Sequence, residues 1–172
     1  MPVGRPSQTS FKLLKESVDW WNAVMSDITS SSEVVLSTYM YDETNLHNLL
    51  MQRLGSCRRK PFHITLLIDR EALVSTTPRL QRSRLKALHD AGAHVYLCKG
   101  HGRLGAYHRK AVICDKRYMV SGGSNFTDKS HCNKELGYRL TGQDVTEVLK
   151  LLEEDKAEGK LWDGKARSYD EL

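Results

Sequence analysis

The sequence predicts a single α/β domain built on a mixed, mostly parallel β-sheet with helices on both faces. Between residues 33 and 98, apolar strand-like segments alternate with helical patterns in the order strand, helix, strand, helix, strand. Short connections between such elements are typical of parallel strands joined by right-handed crossovers. Further along the chain, two strand-like segments flank a tight turn at residues 115–117, which indicates an antiparallel pair.

The first predicted elements are a helix, a strand and a second helix. Apolar residues recur over residues 11–28 at alternating steps of three and four, the spacing of one helix face, and serines 30–32 end this helix. A buried strand follows at residues 33–41. Asp42 is then expected to cap a helix that Gly55 ends.

The middle and final elements are predicted from the same signals. Strands at residues 62–68 and 93–98 enclose a helix that Thr77 and Pro78 begin and Gly92 ends. Three further strands and an amphipathic helix complete the domain, at residues 108–114, 118–121, 134–140 and 144–158.

Length and composition agree with one folded unit. A chain of 172 residues with 40% hydrophobic and 27% charged residues is typical of one globular domain and excludes a disordered or fibrous protein. We therefore predict one domain over residues 1–172, with flexible ends at residues 1–10 and 160–172.

The basic residues are concentrated in the middle of the chain. Residues 58–134 carry 16 basic and 5 acidic residues, a net charge of +11, whereas residues 1–57 and 135–172 have net charges of −2 and −4. Such a block is typical of proteins that bind a polyanion and favours a phosphate-bearing partner. The alternative is that some of these residues only solvate a helix face, which suits Arg79, Arg82, Arg84 and Lys86.

Neither a membrane segment nor a metal site is predicted. No apolar run approaches the ~20 residues of a membrane helix, and residues 1–10 lack a signal-peptide core, so we expect an intracellular, cytoplasmic protein. A zinc site built from Cys98, His101, His131 and Cys132 would fit no common finger spacing, and reduced, buried thiols are the favoured alternative. We expect no metal and no cofactor.

The strongest chemical signal is the sequence His108-Arg109-Lys110. On a strand, alternate side chains share a face, so His108 and Lys110 would project together. An ammonium group can hold the non-bridging oxygens of a phosphate, while an imidazole acts as nucleophile or proton carrier near neutral pH. This pair therefore indicates phosphate chemistry.

A glycine pair follows the histidine and lysine at a defined distance. Gly122 and Gly123 would let the backbone and Asn125 approach an anion closely, where a larger side chain would block it. The whole pattern resembles the HKD motif of the phospholipase D superfamily, which reads HxK, four residues, D, six residues, GSxN. The matching positions are His108, Lys110, Asp115, Gly122 and Asn125. The segments at 126–127 and 133–135 also resemble the bacterial nuclease and mitochondrial-type members.

The resemblance implies a metal-free phosphodiesterase with the α/β/α fold of that family. One histidine attacks phosphorus to form a phosphohistidine, a second protonates the leaving oxygen, and water releases the product. That chemistry uses two motifs, whereas this chain has one. The resemblance therefore implies a homodimer whose active site is shared across a two-fold axis, with His108 as nucleophile in one subunit and acid in the other.

The other site residues take their roles from the same resemblance. Lys110 and Asn125 would hold the phosphate, and Glu135 would orient His108. Asp115 belongs to the catalytic motif, but its place at the far end of the strand favours a structural tie. Glu135 could instead be a surface partner of a nearby lysine.

Four further residues are assigned to the substrate site. Gly123 stands where the motif has a serine, and Ser124 is displaced by one position. This departure removes a phosphate-contacting hydroxyl unless Ser124 replaces it. His101 and Arg103, in the glycine-bearing loop before the motif, could line the substrate groove.

Three functions remain open. A nuclease acting on DNA or RNA is favoured, because the basic block and the absence of a membrane segment suit nucleic acid. A phospholipid hydrolase of cardiolipin type is the second, with membrane lipid as the partner. A catalytically weak nucleic-acid-binding module is the third, and the Gly123 departure supports it. The fold alone cannot choose among them.

Overall fold

The computed structural model describes residues 9–56, 61–73, 79–101 and 105–165. The strands in this part of the chain are β1 (Ser10–Leu14), β2 (Glu33–Thr38), β3 (His63–Asp69), β4 (His94–Cys98), β5 (Ala111–Cys114), β6 (Tyr118–Gly122), β7 (Gly137–Thr141) and β8 (Lys160–Leu161). The α-helices are α1 (Ser17–Ser30), α2 (Thr44–Ser56), α3 (Arg79–Asp90) and α4 (Gln143–Glu158). Two short 3-10 helices lie at Arg70–Leu73 and Asp128–Cys132.

All of these strands form one mixed sheet in the order β1-β7-β6-β5-β2-β3-β4-β8. The α/β class and the mixed sheet are confirmed. The expectation of a mostly parallel sheet needs correction, because β2, β3 and β4 pair in parallel while the other described neighbours pair antiparallel. Only the strand–helix–strand units supply parallel pairs; the tight turn between β5 and β6 forces the opposite direction.

Helices cover both faces of the sheet, as predicted. On one face, α1, α2 and α3 bury a large cluster that includes Trp20, Leu46 and Leu85. On the other face, α4 packs on β3, β4 and β7, and its Val145 and Leu152 belong to a second cluster. Trp20 is 2% exposed, and burying a side chain of this size typically stabilises a fold by several kcal/mol.

The predicted helix at residues 11–28 is wrong in its first part. Residues Ser10–Leu14 form the edge strand β1, paired with β7, and the helix begins at Ser17. Phe11 stacks on Tyr138 of β7, with 5.9 Å between the ring centroids. The apolar residues in this segment fit the spacing of a helix and also that of a strand. The strand forms because β7 offers its backbone hydrogen-bonding groups to the segment as partners.

The expected flexible ends contain ordered structure. Ser10 belongs to β1, and Lys160–Leu161 pair with β4 as the edge strand β8. Trp162 is 4% exposed and its backbone N–H donates to Val95. Edge strands this short have too few residues to show a period. Thr77 and Pro78, the predicted start of α3, lie outside the described residues.

The strand register brings the motif segments to one edge of the sheet. Ala111, the first residue of β5, pairs with both Ser37 and Ser121. Gly122, the last residue of β6, pairs with Gly137, the first residue of β7. The segments just beyond these ends therefore meet at one place. The strands predicted at 108–114 and 134–140 begin later than expected, at Ala111 and Gly137. His108, Lys110 and Glu135 therefore lie in the segments just before these strands.

Candidate active site

His108 and Lys110 lie together at this edge of the sheet, in the segment before β5. The Nζ atom of Lys110 is 2.7 Å from Nδ1 of His108 and also donates to the His108 carbonyl oxygen at 3.2 Å. Lys110 is 8% exposed, whereas His108 is exposed. A buried ammonium group thus lies beside an accessible imidazole.

The charge state of Lys110 depends on two opposing influences. Burial lowers the pKa of Lys110 from its ordinary value, and the negative charge of Glu135 acts in the opposite direction. Glu135 is therefore close enough to act electrostatically on Lys110. The ammonium group needs an anion to offset its burial, which is the role expected of a phosphate-binding lysine.

The Glu135 carboxylate lies against Gly123. A Cβ atom on Gly123 would overlap Oε2 of Glu135, and the other oxygen, Oε1, accepts from Nδ2 of Asn133 at 3.2 Å. A serine at this position would therefore require the Glu135 side chain to shift. Among the described residues, no hydrogen bond joins Glu135 to His108, so its orienting role stays a prediction.

Ser124 and Asn125 each present a buried polar atom with no partner. Ser124 is 1% exposed, and neither its Oγ nor Oδ1 of Asn125 has a hydrogen-bond partner in the described residues. Such atoms are uncommon in folded proteins. The Ser124 hydroxyl can donate to an anion, whereas Oδ1 of Asn125 can only accept a hydrogen bond. The unpartnered Ser124 hydroxyl therefore suits a site that receives phosphate oxygens.

Asp115 lies at the opposite end of β5 from Lys110. Its Oδ1 accepts from the backbone N–H groups of Ser32 and Glu33, both at 2.9 Å. Asp115 and Lys116 form the β5–β6 turn with φ angles of 49° and 58°. Asp115 therefore ties this turn to the start of β2 and is not part of the cluster around His108.

The other sequence-predicted residues are not assembled into a site. His101 is exposed, and Arg103 lies outside the described residues. Cys98 is buried and donates to backbone carbonyl groups, and burial raises the pKa of its thiol to about 12. His131 stacks on the ring of Trp21. Across the described ranges, no three His, Cys, Asp or Glu side chains lie together as a metal site would require.

Two residues beside His108 were missed by sequence reasoning. The ring of Tyr39, just beyond β2, lies 5.1 Å from the His108 ring between centroids. Asp155 of α4 contacts both neighbours of His108, Tyr107 and Arg109. Tyr39 could have been found from its place at the end of a predicted strand, whereas nothing in the local sequence marks Asp155.

No helix in the described part of the chain is both long and apolar enough to cross a lipid bilayer.

Comparisons with known proteins agree with this architecture. Residues 24–155 match the family described as cardiolipin synthase, PLD-like domain. No curated protein matches the chain by sequence. Among solved structures, Nuc of Salmonella typhimurium, a phospholipase D family member, and NucT of Helicobacter pylori each superpose with a TM-score of 0.73. Each is 16% identical, and each match covers 90% of this chain and 99% of the other.

A longer protein shares the fold. The phosphatidylserine synthase of Haemophilus influenzae Rd KW20 superposes with a TM-score of 0.67 at 13% identity, over 90% of this chain and 40% of that protein. These identities establish the fold and leave the substrate open. Because the family match spans most of the sequence and the fold agrees with it, the chain belongs to the phospholipase D superfamily.

Proposed function

We propose that the protein is a metal-independent phosphodiesterase that hydrolyses nucleic acid through a phosphohistidine intermediate. The observation that carries this proposal is the contact between the Lys110 ammonium and the His108 imidazole. The unpartnered, buried Ser124 hydroxyl supports it, because a free donor in the motif segment, together with the ammonium group, suits a phosphate whose charge increases in the transition state.

In the proposed reaction, an imidazole nitrogen of His108 attacks phosphorus and forms a P–N bond. The P–O bond to the leaving group breaks, and that oxygen takes a proton from a second imidazolium group. The second imidazole then removes a proton from water, which attacks phosphorus and breaks the P–N bond. Lys110, Asn125 and Ser124 hold the non-bridging oxygens throughout.

The second imidazole is proposed to be His108 of an identical subunit. In the described residues, His108 is the histidine that has a lysine two positions later and that precedes β5, whose first residue pairs with Ser121, next to the glycine pair. One chain therefore supplies one half of the site. A two-fold axis through the site would bring the second half with the same geometry.

Nucleic acid is the proposed substrate because of charge. The segment that carries the motif has a net charge of +11, which suits a polymer of phosphates better than a single lipid headgroup. A phospholipid is the second candidate, favoured by the match to a family described by cardiolipin synthase. The glycine at position 123 leaves a catalytically weak binding module as the third candidate.

The proposal predicts phosphodiester cleavage that survives removal of metal ions. After dialysis against EDTA, labelled single-stranded DNA, RNA, duplex DNA and cardiolipin vesicles are incubated in parallel with the protein. We expect a nucleic-acid substrate to be cleaved at an unchanged rate, because imidazole and ammonium groups replace the ions that other nucleases use. Turnover that disappears and returns with added metal would refute the mechanism, and cleavage of cardiolipin alone would replace nucleic acid with phospholipid.

Binding of nucleic acid is predicted to weaken steeply with salt. The logarithm of affinity falls with the logarithm of salt concentration, by about 0.7 per phosphate neutralised on a single strand. We therefore expect a slope of about −2 or steeper if three or more basic groups contact phosphates, measured by fluorescence titration with the His108→Ala chain. A slope near zero, with tight binding to cardiolipin vesicles, would favour the lipid substrate.

A further inference from the structure

The segment that carries His108 is held by side chains rather than by a strand. Residues 105–110 belong to no helix or strand, so the backbone of His108 has no ladder of hydrogen bonds to fix it. A reacting imidazole must nevertheless be placed to within a fraction of an ångström, because small displacements cost large factors in rate. Contacts made by the neighbouring residues must therefore hold this segment in place.

Both neighbours of His108 are bound to the same carboxylate. The Tyr107 hydroxyl donates to Oδ2 of Asp155 at 3.0 Å, and Nε of Arg109 lies 2.7 Å from the same oxygen. Nη2 of Arg109 donates to the second oxygen, Oδ1, at 3.3 Å. A guanidinium that meets a carboxylate at two points fixes orientation as well as distance.

Two strands complete the support. The Ser37 hydroxyl of β2 lies 2.9 Å from the Tyr107 hydroxyl and donates to the Arg109 carbonyl oxygen at 3.2 Å. The Tyr107 backbone N–H donates to Asp69 at the end of β3. Tyr107 is 3% exposed, so its hydrogen bonds are shielded from water. A hydrogen bond is electrostatically stronger in such an environment than in water.

We propose that Asp155 is a positioning residue for the catalytic histidine. Its carboxylate joins α4 to the residues before and after His108, and thereby sets the direction in which the imidazole projects between them. Asp155 does not touch the substrate. This inference rests on the proposed function only in its kinetic consequence, because the placement of the His108 ring can also be measured without substrate.

The kinetic test compares Asp155→Ala with Glu154→Ala, which removes an exposed carboxylate from the same helix. Asp155→Ala is expected to lower kcat by about 10- to 100-fold. Nucleic-acid affinity, measured in the His108→Ala background, should not fall, because the phosphate-binding groups are untouched and the freed Arg109 guanidinium adds a positive charge. Glu154→Ala should leave kcat unchanged. Arg109→Ala should also lower kcat, and the double variant that carries Arg109→Ala and Asp155→Ala should lose less than the product of the two single effects, because both substitutions break the same ion pair.

A structural staple would behave differently from a positioning residue. If Asp155 only attached α4 to the sheet, Asp155→Ala would lower the melting temperature but leave kcat unchanged in the folded protein below that temperature. Asp155→Asn is the second variant, because it keeps the side-chain volume and one acceptor oxygen and should fold where the alanine variant does not. An unchanged kcat in Asp155→Asn, with the protein folded by circular dichroism, would overturn the proposal.

The imidazole resonances of His108 separate this inference from the proposed function. In the wild-type chain we expect one sharp set of ring signals, and in Asp155→Asn broadened or multiple signals, because the ring samples several positions. An inactive wild-type protein with this spectral change would refute the phosphodiesterase and retain the positioning role. Identical His108 spectra in the two proteins would refute the positioning role whatever the activity.

Discussion

The His108→Ala protein is expected to lose phosphodiesterase turnover by on the order of 10⁴-fold or more, because the substitution removes both the nucleophile and the leaving-group acid. Nucleic-acid binding should remain within a few-fold of wild type, since affinity comes mainly from basic groups spread over residues 58–134. Rates of single-strand cleavage and fluorescence titrations measure the two effects separately.

His63→Ala is the matched control, because it removes another exposed histidine, at the start of β3 and at the opposite end of the sheet from His108. It should retain wild-type turnover within about twofold. Near wild-type cleavage by the His108→Ala chain would mean that the nucleophile is wrongly assigned.

Mixing the two proteins tests the shared site. When equal amounts of wild-type and His108→Ala chains exchange subunits fully, about a quarter of the dimers keep both histidines, so total activity should fall to about half of its unmixed value. Independent monomeric sites would leave the activity unchanged. Sedimentation of the wild-type protein should show twice the chain mass, and a fully active monomer would contradict the shared site.

The Lys110→Met protein is expected to be less active and more stable. Loss of the ammonium group should lower kcat/KM by about 10²–10³-fold, the usual effect of removing one donor from a developing anion. The melting temperature near neutral pH should rise, because the folded protein no longer buries a charged group. Lys12→Met, at an exposed position of β1, is the control and should change neither quantity appreciably.

The pH dependence of this stabilisation has a definite sign. Because burial lowers the pKa of Lys110, the folded state binds its proton more weakly than the unfolded state does. The penalty is complete below the folded pKa and disappears as the pH rises through it towards the ordinary lysine value. The melting-temperature difference between Lys110→Met and wild type should therefore shrink at alkaline pH, and a difference that grows there would contradict the assignment.

Activity should respond to the same group. The alkaline limb of kcat/KM is expected to begin below the pH at which an ordinary lysine deprotonates. Glu135→Gln removes the charge that raises the pKa of Lys110, so it should move this limb to still lower pH. A limb that stays in place in Glu135→Gln would mean that Lys110 does not control it.

Several elements of the fold follow from local sequence alone. The α/β class was predictable because β2, β3 and β4 are apolar segments separated by helical patterns. The cap of α2 was not, because Glu43 rather than the predicted Asp42 accepts from the Leu46 backbone N–H. The edge strands β1 and β8 were not predictable from local sequence, because a short edge strand forms only where a neighbouring strand offers it hydrogen bonds. Phe11 and Leu14 fit a helix face equally well until β7 is present.

The family resemblance and the residues expected to bind phosphate were predictable from the chain alone, because the motif gathers them within a short stretch with set spacing. The groups that surround them became known only from the folded structure. Asp155 reaches Tyr107 and Arg109 from α4, and the Glu135 carboxylate fills the space beside Gly123. The physical reason is that such contacts depend on where α4 and the segment before β7 dock, and docking depends on packing across the whole sheet, which local spacing does not encode.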